Sequence, residues 1–207
     1  MGESENNLVR YRLVAGESRF AVQAFAAGML HAFGHDPVIE IRDFEGEVEF
    51  EPETLARARL EVRVNPAALG VGGEVKEKDR LEIERMMHED VLESAQYPLI
   101  VFKSGNVTAA RLGKGRYRVR AIGDLTMHGV TQNNLWIHGE ATLSDDRLRA
   151  QGEFTLKQTD FKLKLVSVAG GALKVKDELK FTFDLAGRKS EAEGEGSKDE
   201  GEAVQAK

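Results

Sequence analysis

Five histidines are the residues of this chain best suited to chemistry: His31, His35, His88, His128 and His138. His31 and His35 stand four apart in HAFGHD, with Asp36 directly after. On a helix that spacing puts two imidazoles on one face, which suits zinc. Gly34 inside the pair and Pro37 just after it argue against a helix that persists through His35. A metalloprotease helix would also need Glu after the first histidine, and Ala32 stands there. The stretch therefore reads as a turn, with the Asp36 carboxylate bonding to nearby backbone. His128, in TMHGVT, falls at a strand end, His138 on a charged face, and His88 in a helical stretch. No metal site is expected.

Other chemistry is thin. The chain has no cysteine, so a disulfide framework, a zinc-thiolate site and a thiol nucleophile are excluded. GVGGEVK, from Gly70, lacks the Lys-Ser/Thr pair of a phosphate-cradling loop, and no GxSxG occurs. Carboxylates are abundant but fall on outward strand faces or in the helix, and no acid/base pair stands out. No catalytic residue is assigned.

Composition fits one ordinary globular domain: 207 residues, 41% apolar and 31% charged. A net charge of -6 without a long basic cluster argues against a nucleic-acid partner. MGESENNLVRYRL has no apolar run behind a positive segment, so the sequence as written reads as cytoplasmic. It would read as periplasmic if a leader had been removed. The least polar stretch, Ala24 to Gly34, is too short to span a bilayer.

The elements that position these residues are mostly strands. RARLEVRV puts Ala58, Leu60, Val62 and Val64 on one face and Arg57, Arg59, Glu61 and Arg63 on the other. RYRVRAIGDLTM and LWIHGEATL alternate the same way, and GEFTLKQ, FKLKLV and ELKFTFDL continue it. About eight such strands, each with one wet face, predict an antiparallel sheet closed into a barrel, apolar side inward. Lys76 to Ala95 breaks the period and predicts a short helical segment across one mouth, ended by Pro98. Pro52 to Arg57 is a second, weaker helical candidate. After Leu185 the chain turns to Gly, Glu, Lys and Ser, which bury too little to order. The expected division is a barrel domain over 9–186 and a disordered charged tail over 187–207.

Four stretches then resemble one family in order. GDLTMHGVT from Gly123 is similar to the most characteristic segment of the YceI-like family. SRFAVQ at Ser18, FEGEVEFEP at Phe44 and YPLIVFKS at Tyr97 resemble its other strands, and QTDFKLKL and LKVKDELKFTFDL fill the closing ones. The likeness covers about Val9 to Leu185. Before the Tyr-Pro strand, DRLEIERMMHEDVLE carries methionines where the family tends to have Phe.

The resemblance implies an all-β, eight-stranded, extended antiparallel barrel of lipocalin-like shape. Its apolar tunnel would bind, store or transport a polyisoprenoid, a polyprenyl phosphate or an isoprenoid quinone. Expected contacts are the inward Phe20, Val22, Phe50, Phe102, Tyr117, Val119, Leu125, Met127, Phe154, Phe181 and Phe183. His31, His35 and His128 are candidates for the headgroup, because imidazole donates to a phosphate or quinone oxygen. The partner is an amphiphilic isoprenoid lipid, with no separate cofactor. A transient membrane contact and a homodimer are compatible with this reading. Two alternatives stay open: a stress-response factor or enzyme using the mouth histidines, and a filled barrel that acts through its tail.

Overall fold

The computed structural model describes residues 8–28, 37–168 and 173–190. Twelve strands form one antiparallel sheet: β1 (Val9–Leu13), β2 (Arg19–Gly28), β3 (Val38–Ile41), β4 (Phe44–Phe50), β5 (Arg59–Val64), β6 (Leu69–Val71), β7 (Ile100–Gly113), β8 (Arg116–Met127), β9 (Val130–Leu143), β10 (Arg147–Lys157), β11 (Ser167–Val168) and β12 (Leu173–Ser190). Among the described residues one α-helix, α1 (Glu77–Met86), precedes β7 and runs into a π-turn at Met87–Val91.

The ring closes in the order β1-β4-β5-β7-β8-β9-β10-β12 and back to β1. The extra strands are breaks in long ones. β12 pairs with β2 over Leu173–Asp184 and with β1 over Gly187–Ser190, so β1 and β2 are two halves of one wall position. A 3-10 turn at Ala15–Glu17 divides them. Ser18 holds that kink, its hydroxyl donating to Val14 O (2.7 Å) and accepting from Ala186 N (2.9 Å). Arg42 and Asp43 divide β3 from β4, and a 3-10 turn at Pro66–Ala68 divides β5 from β6. The eight expected lines are present, three of them bent.

Period-2 alternation explains the wall. Each line turns apolar side chains inward and charged ones to water, where cross-strand pairs form, such as Arg149–Asp184 (2.6 Å) and Lys180–Glu153 (2.8 Å). Such exposed pairs set register more than they add stability. Burial supplies the energy, in three clusters. One centres on Phe44, Val64, Leu69 and Val71, a second on Phe102, Leu125, Met127 and Phe161, a third on Tyr11, Phe50 and Leu148.

Three expectations are corrected. Pro52 to Arg57 is a pair of turns rather than a helix, with Leu55 and Arg57 in left-handed conformation (φ 56° and 55°). FKLKLV is not a strand. Phe161 ends a 3-10 turn, Lys162 is left-handed (φ 57°), and Phe161 and Leu163 sink into the second cluster. They fill the space where β9 and β10, paired only over His138–Leu143 and Leu148–Glu153, have separated. The last strand also continues past the expected boundary at 186. Gly187 to Ser190 pair with β1 and complete the closure, so polar residues here join the wall instead of the tail.

Candidate functional site

The inside of the ring can be read row by row from the register. One row runs Ala109, Val119, Gly139, Gly152, Phe183 and Phe20 across six strands. The next runs Arg111, Tyr117, Ala141, Ala150 and Leu185. Gly139 and Gly152 stand side by side in the first row, with Ala109 one position beyond Val119, and Ala141 and Ala150 stand side by side in the second. A filled eight-stranded barrel needs bulk at such positions, so these rows leave the inner wall recessed. The large residues that remain line the wall. Phe154 stacks on Phe181 with centroids 4.8 Å apart at 9°, and Phe183 lies 6.4 Å from Phe154 at 49°.

Exposure follows the same division. Phe20, Tyr117, Val119, Phe154, Phe181 and Phe183 are half-buried although they face inward. Val22, Phe50, Phe102, Leu125 and Met127 are buried in the clusters at the two ends. The expected contact set thus splits into a half-buried middle group and a buried end group. The sequence reading missed Ala109, Ala141, Ala150, Gly139 and Gly152, and it missed Arg111. The guanidinium of Arg111 lies 6.0 Å from the Tyr117 ring centroid on the inner side of the wall.

Each end has its own closure. At one, α1 lies along β6, whose outer edge has no strand partner among the described residues. Val71 N donates to Glu84 Oε1 (2.8 Å), and Arg80 donates to Gly73 O (3.2 Å). Ile83 and Met87 pack on the first cluster, and Val91 is buried in the second. This is the helical cover expected from Lys76 to Ala95. At the other end the Tyr11 and Phe50 rings stack at 5.7 Å, with Leu55 against them. Burial, helped by the carboxylates of Asp145 and Asp146, pushes the Tyr11 phenol above its ordinary value. Its hydroxyl donates to the Ser144 and Asp145 carbonyls.

His128 sits in the two-residue turn between β8 and β9, with φ 51° followed by Gly129 at φ 70°, the geometry of a type I′ hairpin. Its Nε2 is 2.7 Å from Glu93 Oε2 and its Nδ1 is 3.3 Å from Phe161 O. Tyr97 packs against the ring at 4.3 Å. Glu93 belongs to the cover segment and Phe161 to the turn after β10, so the ring links the hairpin to both. The ring borders a polar cleft of about 290 Å³ lined by Glu89, Asp90, Glu93, Lys162 and Lys164. His31, His35 and Asp36 lie outside the described residues. His138 is exposed on the outer face and His88 lies in the π-turn. Among the described residues no group of three or more His, Asp or Glu is arranged to hold a metal. None of their helices is long and apolar enough to cross a membrane.

A family model described as the YceI-like domain matches residues 11–186. No curated protein matches the chain. Three solved structures share its architecture. A polyisoprenoid-binding domain from Saccharophagus degradans, implicated in plant cell wall breakdown, is 15% identical with a TM-score of 0.63 over 87% of this chain and 98% of its own. BcnA of Burkholderia cenocepacia is 16% identical with a TM-score of 0.62 over 84% and 98%. The Campylobacter jejuni YCEI protein is 15% identical with a TM-score of 0.53 over 74% and 85%.

Proposed function

The chain belongs to the YceI-like family, and from that premise we propose that it is a non-enzymatic carrier or store for a polyisoprenoid lipid held inside the barrel. The observation that carries this reading is the recessed inner wall. Gly139 and Gly152, and in the next row Ala141 and Ala150, give up volume at adjacent positions, while inward aromatics beside them keep accessible surface. A long, slender apolar chain is the occupant that such a space favours. Each methylene removed from water contributes about 0.8 kcal/mol, so several isoprene units bind without a polar contact. The printed description of the Saccharophagus degradans domain supports the same ligand class.

The ligand is a polyprenyl phosphate or an isoprenoid quinone, with a phosphate or a quinone ring as its headgroup. Arg111 favours the phosphate, because it is a cation on the inner side of the wall whose fork matches phosphate oxygens. His128 is a weaker candidate than the sequence implied, since both of its ring nitrogens already have acceptors.

The test is extraction of the purified protein with organic solvent, followed by mass spectrometry. The reading expects a single isoprenoid species near one per chain. An extract holding only a spread of ordinary phospholipids, or nothing, would overturn it.

A further inference from the structure

Charge along this chain is segregated. The whole sequence carries 29 Lys and Arg against 35 Asp and Glu, yet Ser104 to Gly123 holds five cations and no acid. That stretch is most of the β7–β8 hairpin. Arg116, Arg118 and Arg120 project outward between the inward Tyr117 and Val119, and Lys114 sits at the tip. Among the described residues Arg116 pairs with Glu140 (3.2 Å), while Arg118 and Arg120 have no ion pair.

Beside them stands Trp136, 47% exposed on the outer face. It is opposite Ile122 in the register, with the Arg120 guanidinium 4.9 Å from its ring centroid and the His138 ring stacked at 6.2 Å. Leu112, near the tip, is 42% exposed. The acids nearby lie at the margins of this face: Glu140 paired with Arg116, Glu153 tied to Lys180, Asp124 at the far end of β8, and Asp145 and Asp146 in the turn after β9. An indole with one wet side and flanking arginines is the side-chain set that settles at a membrane interface.

The wall is also open here. β5 pairs with β7 only over Glu61–Val64 and Ile100–Lys103, so beyond the irregularity at Ser104–Asn106 the far edge of β7 has no strand partner among the described residues. We propose that the outer face of the β7–β8 hairpin, with Trp136, docks on an anionic lipid bilayer. Docking sets the unpaired edge of β7 near the lipid, where a chain could enter or leave the hollow. Charge complementarity commits the surface to acidic lipid, each cation near such a surface adding about fivefold to partition. The proposal stands independently of what fills the barrel.

Trp136 is the only tryptophan, so its emission reports the contact directly. Equimolar phosphatidylcholine–phosphatidylglycerol vesicles should shift that emission to the blue and sediment the protein, and pure phosphatidylcholine should do neither. The R118E/R120E pair should lose tenfold or more in partition, about what two contacts supply. K157E/K174E, away from the hairpin, should bind as the parent does. Ala141→Phe, inside the barrel, should keep vesicle binding even if it empties the hollow. Unchanged emission with anionic vesicles, full binding by R118E/R120E, or an equal shift with heparin and no lipid would overturn the proposal.

Discussion

The ring of Phe183 lies against Gly152: a Cβ there would stand 2.6 Å from the ring's Cζ, and one at Gly139 would stand 3.4 Å away. The two glycines face each other across β9 and β10. They let a large aromatic lie against backbone instead of reaching over the axis. The same Cβ at Gly152 would meet His138 O at 2.4 Å, so the close approach of β9 and the seat of the Phe183 ring both depend on this absence of side chain.

A hollow predicts tolerance where a core predicts strain. Ala141 faces inward between Tyr117 and Ala150. Ala141→Phe should melt within a few degrees of the parent and retain several-fold less lipid. In a filled interior the same change would cost about 1–3 kcal/mol. Thermal melts with lipid quantitation decide it, and a large loss of melting temperature with unchanged lipid would count against the hollow.

The cover over β6 should be separable from global stability. Glu84→Ala removes the acceptor of Val71 N–H and leaves that amide without its partner. The expected loss is about 1–2 kcal/mol, confined to α1 and β6. Hydrogen exchange should quicken over Leu69–Val71 and Glu77–Met86 and stay slow in β8 to β10. Equal protection of β6 in parent and variant would show that Glu84 does not hold the cover.

Much of this was legible because strands with one wet face advertise their period. Tyr117, Val119 and Ala121 alternate with three arginines, and the structure keeps that order. The breaks at Ala15–Glu17 and Pro66–Ala68 were hidden, since alternation resumes on either side of a kink. Phe161 was hidden for the opposite reason: it alternates with lysines like a strand residue, but tertiary packing draws it into a gap between strands, where it is 1% exposed. The Gly and Ala rows were also overlooked. Small residues read as weak strand formers, and their meaning appears only when register places them side by side. Arg111 was missed because a bulge on each side, at Ser104–Asn106 and Arg111–Gly113, interrupts the count.

The His128 tie can be separated from its backbone strain. Asn tolerates the left-handed turn but cannot reach both partners of the ring. His128→Asn should therefore destabilise by about 1–2 kcal/mol in urea, discounted because Glu93 is half exposed. Glu93→Gln should cost less, since one ring nitrogen keeps Phe161 O. A neutral His128→Asn would assign the ring no structural role.

Acid sensitivity should appear at the turn after β10. Asp177 accepts from Thr159 N (2.9 Å) and Thr159 Oγ1 (2.7 Å), and these bonds hold its carboxyl below the ordinary 3.8. A depressed carboxyl stabilises the fold fully above the unfolded value and loses that contribution as pH falls through the folded one. Asp177→Asn should then lower stability at neutral pH, with the difference from the parent shrinking below about pH 3.8. A gap that persists unchanged in stronger acid would rule out the charge as its source.

The most direct measurement is a crystal structure of the protein purified without added lipid. The account predicts one continuous rod of density along Phe154, Phe181 and Phe183, passing over Gly139 and Gly152. Side chains meeting across the axis, with no room for a chain between them, would contradict it.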